Sequence, residues 1–122
     1  YSAWLVGGLL MANFQDITGI KIAQAAMTTE YTVIHTSPTD TRTYVKDITV
    51  VNTTSTSKNI YVNLVPSAIT TDASNAIFYN TPLPANTTVQ WCGIQILNPG
   101  DTVEVKADAV GCTVSVSGGD AV

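Results

Sequence analysis

One histidine, two cysteines and nine scattered acids are the residues of this 122-residue sequence that could do chemistry. A nucleophilic enzyme would need a base beside a Ser or Cys and a third group to orient that base. His35 is the one histidine available as such a base. It stands in YTVIHT (31–36), where strand alternation puts Val33 on its side and Ile34 on the other. A half-exposed strand residue is the simpler reading, and so few partners disfavour catalysis or metal ligation. Asp101 lies in the turn Asn98-Pro99-Gly100-Asp101, where a carboxylate serves the backbone rather than a calcium ion. Asp72, in the long 66–75 loop, lacks the neighbouring carboxylates of a calcium cage. No cofactor or metal is implied.

Cys92 and Cys112 permit one disulfide. Strand parity argues against it. Cys112 alternates in phase with Val114 and Val116, whereas Cys92 falls on the face opposite Val89 and Trp91. A bulge at Gly93 would reverse that assignment. Cys112 reads as a small buried hydrophobe rather than a working thiol, and Trp91 as a core anchor rather than a sugar platform. Asn52-Thr53-Thr54 and Asn86-Thr87-Thr88 match the N-glycosylation pattern, which arises by chance in a threonine-rich chain.

The elements that position these residues follow period two, with β-branched residues between short turn clusters. Expected strands are 17–24, 31–36, 44–52, 60–65, 76–79, 87–92, 94–97, 102–107 and 112–117. Residues 53–59 (TTSTSKN) read as a hairpin loop, 66–75 as a longer loop, and the two prolines of TPLPAN (81–86) forbid a central strand there. In the 60–65 strand, Ile60, Val62 and Leu64 share one face, with Tyr61, Asn63 and Val65 on the other. Val103 and Val105 with Ala107, and Val114 with Val116, are the inward faces of the last two strands. Eight or nine short strands at this spacing predict an all-β fold: a single two-sheet antiparallel sandwich of jelly-roll or immunoglobulin-like type.

Composition sets the class of partner. Charged residues make up 11% and hydrophobic residues 45%, with a net charge of −4. Five basic residues spread singly cannot make the clustered phosphate contacts of a nucleic-acid binder. No apolar run reaches membrane-spanning length. Residues 1–10, YSAWLVGGLL, are apolar without the charged start of a secretory signal. Met11 reads like a natural start, so these ten residues are either an added extension or an arm. The domain expectation is therefore an arm or non-native extension over 1–15 and a sandwich over 16–122. As an arm, Trp4, Leu5, Val6, Leu9 and Leu10 would form an adhesive patch that docks on a neighbour.

The order TVIHTSPTDTRTYVKDITVVNTTSTSKNIYVNLVPS, then LPANTTVQWCGIQILNPGDTVEVKADAVGCTVSVSGGDAV, resembles the small β-sandwich structural proteins of tailed-bacteriophage virions. The shared pattern covers about residues 30–119: a threonine-rich strand, an I-x-V-x-N strand, an L-x-x-G/N-x-T corner, L-x-x-G-D-x-V and a final V-S-G. Each motif alone is common among sandwiches. The resemblance implies a virion component, on the capsid surface or tail, of the capsid decoration (cement), head-fibre or tail-associated kind. It carries over no site residue.

The leading expectation is thus a non-enzymatic assembly protein, with capsid decoration favoured over tail or neck. Its partners would be its own copies, a trimer being one closed form, and the major capsid protein. A surface of short hydroxyl side chains suits a permanent interface, and sheet edges can augment a neighbour. A receptor- or carbohydrate-binding adhesin module is the second expectation, with Tyr79 and the 66–75 and 81–87 loops as its face. A cysteine enzyme is a third, and would need His35 within reach of a thiol of depressed pKa.

Overall fold

The computed structural model describes residues 17–122. The arm expected over 1–15, with Trp4, Leu5, Val6, Leu9 and Leu10, lies outside the described residues. Eight strands follow in order: β1 (Ile17–Ala26), β2 (Thr32–Thr36), β3 (Arg42–Asn52), β4 (Lys58–Val65), β5 (Ala76–Leu83), β6 (Thr87–Leu97), β7 (Thr102–Ala107) and β8 (Cys112–Ala121). One 3-10 turn, Ala73–Asn75, precedes β5.

All pairings are antiparallel and form two four-stranded sheets. The first has the order β1-β8-β3-β6 and the second β2-β7-β4-β5. That double Greek-key order is a jelly roll, which resolves the choice left open between jelly-roll and immunoglobulin-like sandwiches. Every connection except β4–β5 passes from one sheet to the other. The TTSTSKN segment is therefore a crossover and not the expected hairpin. Its path is fixed by Asn52, whose buried amide donates to Thr56 O, Leu83 O and Pro84 O while its Oδ1 accepts from Thr54 N and Thr54 Oγ1.

The core lies between the sheets. Ile48, Val50, Val114 and Val116 from the first meet Ile60, Val62, Val103 and Val105 from the second, all fully buried. Met27 and Cys112 close one end, joined by Met27 N donating to Cys112 O at 2.8 Å. Trp91, expected as a core anchor, is only half-buried and packs against the margin of the core. β6 is the outer strand of its sheet, so its inward face meets the rim of the sandwich.

Two strands run further than their sequence suggests. β5 continues through Pro82 to Leu83, which an edge strand allows because no ladder donor is needed there. β6 runs unbroken through Gly93, joining the segments expected as 87–92 and 94–97. In β4 the outward Asn63 and Val65 are buried as well; Asn63 Nδ2 donates to Asp72 O (2.8 Å) and Asn75 Oδ1 (2.7 Å), pinning the following loop over that face.

Candidate functional site

The residues with chemical potential are apart from one another. His35 sits at a bulge of β2, where the register shifts between Val33 and His35. Val33 is thereby turned to solvent and His35 toward the first sheet, its Nε2 3.4 Å from Thr43 Oγ1. Thr43 in turn donates to Asp120 Oδ1 at 2.9 Å, so β2, β3 and β8 meet at one polar cluster. Burial lowers the His35 pKa, and the Asp120 carboxylate opposes that shift.

Both thiols are free. Cys112 is buried, and burial raises its pKa, which makes it a poor nucleophile. Cys92 is exposed on the outer face of the first sheet and donates to Asp47 Oδ2 at 3.7 Å. Thr49 and Gln90 also donate to Asp47, and these hydrogen bonds lower its pKa. Neither thiol is a hydrogen-bond partner of His35 among the described residues, and no group of three or more potential metal ligands occurs among them. Asp101 organises its own turn, accepting from Asn98 N at 3.0 Å and from Ser67 N at 2.9 Å. Asp72 caps the 3-10 turn, with Ser74 N donating to its carboxylate.

Two surfaces stand out instead. On the outer face of the first sheet, irregularities line up across the strands. β1 slips between Lys21 and Ala23, β3 between Val45 and Asp47, and β6 accommodates the β3 slip with the stretch between Cys92 and Gln95. The β1 and β3 slips both fall at Ser117 of β8, and the β6 stretch lies across β3 from them. Along that line runs a depression of about 350 Å³ lined by Ile17, Tyr44, Lys46, Ile94 and the backbone of Gly118 and Gly119. Ile17 and Ile94 are 62% and 61% exposed, and Ile96 beside them is 48% exposed. Sequence reasoning missed this notch; the glycines at 19, 93, 118 and 119 were its one visible trace.

The second surface crosses the outer face of the other sheet, one residue per strand in spatial order: Tyr31 before β2, Lys106 on β7, Tyr61 on β4 and Tyr79 on β5. Tyr31 and Tyr61 meet edge to face, centroids 6.1 Å apart, and Tyr61 and Tyr79 at 5.4 Å and 88°. Lys106 Nζ lies 4.8 Å from the Tyr61 centroid and 5.3 Å from that of Tyr31, a cation–π arrangement. Burial, then the neighbouring phenols and Glu104, raise the Tyr31 pKa. The sequence singled out Tyr79 alone of these residues, as a member of an expected binding face; the row itself was not legible, because its members come from distant segments.

Comparisons with known proteins add little. No family model matches the chain, and no curated protein matches it in sequence. Solved structures of infectious bursal disease virus resemble its backbone. For the Gx strain the identity is 10% and the TM-score 0.47, over 91% of this chain and 33% of that one. For the Gt strain the values are 10%, 0.43, 89% and 31%. The chain spans about a third of either, and superpositions this loose carry no functional weight.

Proposed function

We propose that the chain is a non-enzymatic structural subunit of a virus particle, of the tailed-bacteriophage capsid-decoration type, held to the major capsid protein and to its own copies by protein–protein contacts. The observation that carries this reading is the notched apolar face of the first sheet. Two exposed isoleucines, Ile17 and Ile94, line a depression together with the backbone of Gly118 and Gly119, and the exposed Ile96 follows on the same strand as Ile94. An apolar patch around a recess suits the anchor of a partner subunit better than it suits water. The jelly-roll order agrees, since the same architecture builds many capsid domains, although a fold alone does not assign a role.

In this proposal Trp4, Leu5, Val6, Leu9 and Leu10 extend the contact as an arm. They precede Ile17, which lines the notch itself.

The test is co-sedimentation with phage capsids stripped of accessory proteins. The intact chain is expected to bind as a defined oligomer. Ile94→Asp is expected to abolish binding while leaving the circular dichroism spectrum unchanged, because Ile94 is exposed. Removal of residues 1–10 is expected to weaken binding or the oligomer. A monodisperse monomer that ignores capsids would overturn the decoration role and favour a tail, neck or fibre location.

A further inference from the structure

We propose that the outer face of the β2-β7-β4-β5 sheet is a binding site for a neutral glycan, centred on Tyr79 and Asn80. The inference does not depend on the assembly role.

The first support is a local irregularity. β4 and β5 pair at Ile60↔Thr81 and at Val62↔Phe78, so Tyr79 and Asn80 together oppose the single residue Tyr61. This bulge brings two consecutive side chains onto one face, where both touch Tyr61: Tyr79 through its ring, Asn80 by accepting from Tyr61 Oη at 3.0 Å. Asn80 adopts φ 49°, in the left-handed region that asparagine enters more readily than other residues bearing a Cβ. Glycine would fill that backbone position as well, and what asparagine adds is its side chain.

What it supplies is an oriented donor pair. Asn80 Oδ1 also accepts from Asn59 Nδ2 at 2.9 Å, and these two hydrogen bonds fix which way the amide faces. Among the described residues nothing accepts from Asn80 Nδ2, and the residue is exposed. Beside it Tyr79 is 56% exposed. An open aromatic ring next to a held amide matches a pyranose, whose C–H face stacks on a ring while its hydroxyls take N–H donors.

Charge selects a neutral sugar. Lys106 is already engaged over Tyr61 and Tyr31, and the Glu104 carboxylate lies two residues along the same strand, close enough to raise the Tyr31 pKa. An acidic sugar would meet that carboxylate and a chain of net charge −4.

Saturation-transfer NMR on the full chain tests the site with lactose, maltose, cellobiose and N-acetylglucosamine as probes. Transfer to the C–H protons of at least one probe is expected, with shifts of the Tyr79 ring signals. Tyr79→Ala should abolish it and Tyr79→Trp retain it. Asn80→Gly is the decisive variant: glycine fills the left-handed position as well, so the fold is kept, yet affinity should fall about tenfold with the loss of an oriented hydrogen-bond donor. No transfer from any probe, or transfer unchanged in Tyr79→Ala or Asn80→Gly, would overturn the proposal and leave the row as a cross-strand stabiliser of its sheet.

Discussion

Gly118 passes so close beneath Tyr44 that a Cβ on the glycine would overlap the Tyr44 carbonyl oxygen and lie 3.1 Å from Lys46 N. The contact is backbone against backbone, at the point where β3 slips its register against β8. No rotamer change can relieve it. Gly118→Ala is therefore expected to destabilise the fold by about 3 kcal/mol or more, or to prevent folding. Gly19→Ala is the control, since its Cβ would meet only Gly118 O at an ordinary 3.8 Å. Urea unfolding of the two variants checks the contrast.

Asn52→Ala should cost about 3 kcal/mol. The buried amide holds the 53–57 crossover to the β5–β6 corner, and its loss leaves Leu83 O and Pro84 O without that donor. The same burial means that Asn52 cannot accept a glycan in the folded protein, although Asn52-Thr53-Thr54 fits the acceptor pattern. Asn86, at φ 52° and exposed, should tolerate glycine with little change. Thermal denaturation of both variants separates the two asparagines.

The thiols should differ sharply. Cys92 is expected to react at once with a disulfide reagent in native buffer, and Cys112 only on unfolding. Cys92→Ser should be neutral. Cys112→Ser puts a hydroxyl among Val114 and its neighbours and should cost about 1–3 kcal/mol. Two equally fast thiols would refute the buried placement.

Acid should weaken the fold through His35. Its folded-state pKa is lowered, so the folded protein favours the neutral ring. As pH falls below about 6.5, the ordinary histidine value, the unfolded chain takes up a proton first. Stability is thus full above that value and declines as pH falls through the folded-state pKa. Asp120, which favours the charged ring, limits the loss. His35→Gln should flatten this part of the stability profile, measured by urea midpoints from pH 7.5 to 5.

Much of the architecture was legible from period two alone. β7 runs over the expected Thr102–Ala107, and alternation placed Cys92 outward and Cys112 inward. These features depend on local burial, which sequence carries directly. What alternation could not convey was pairing. The bulges at Lys46 and at Tyr79–Asn80 exist only relative to a partner strand, and the tyrosine row needs β2, β7, β4 and β5 side by side. Reading TTSTSKN as a hairpin loop failed for the same reason: two polar-flanked strands look alike whether they pair or face each other across a core. Trp91 illustrates a further limit, since inward parity does not reveal that its strand stands at a sheet edge.

The place of β8 between β1 and β3 has a consequence for biogenesis. Of the eight strands it is the last to leave the ribosome, yet β1, the first, pairs in its sheet with no other. During synthesis the edges of β1 and β3 that pair with β8 must therefore wait without their ladder partner. The sandwich cannot assemble strand by strand as it emerges; it closes only once β8 is available to insert between β1 and β3. Nascent chains stalled before Cys112 should accordingly be captured by holdase chaperones and degraded by proteases that spare the finished protein.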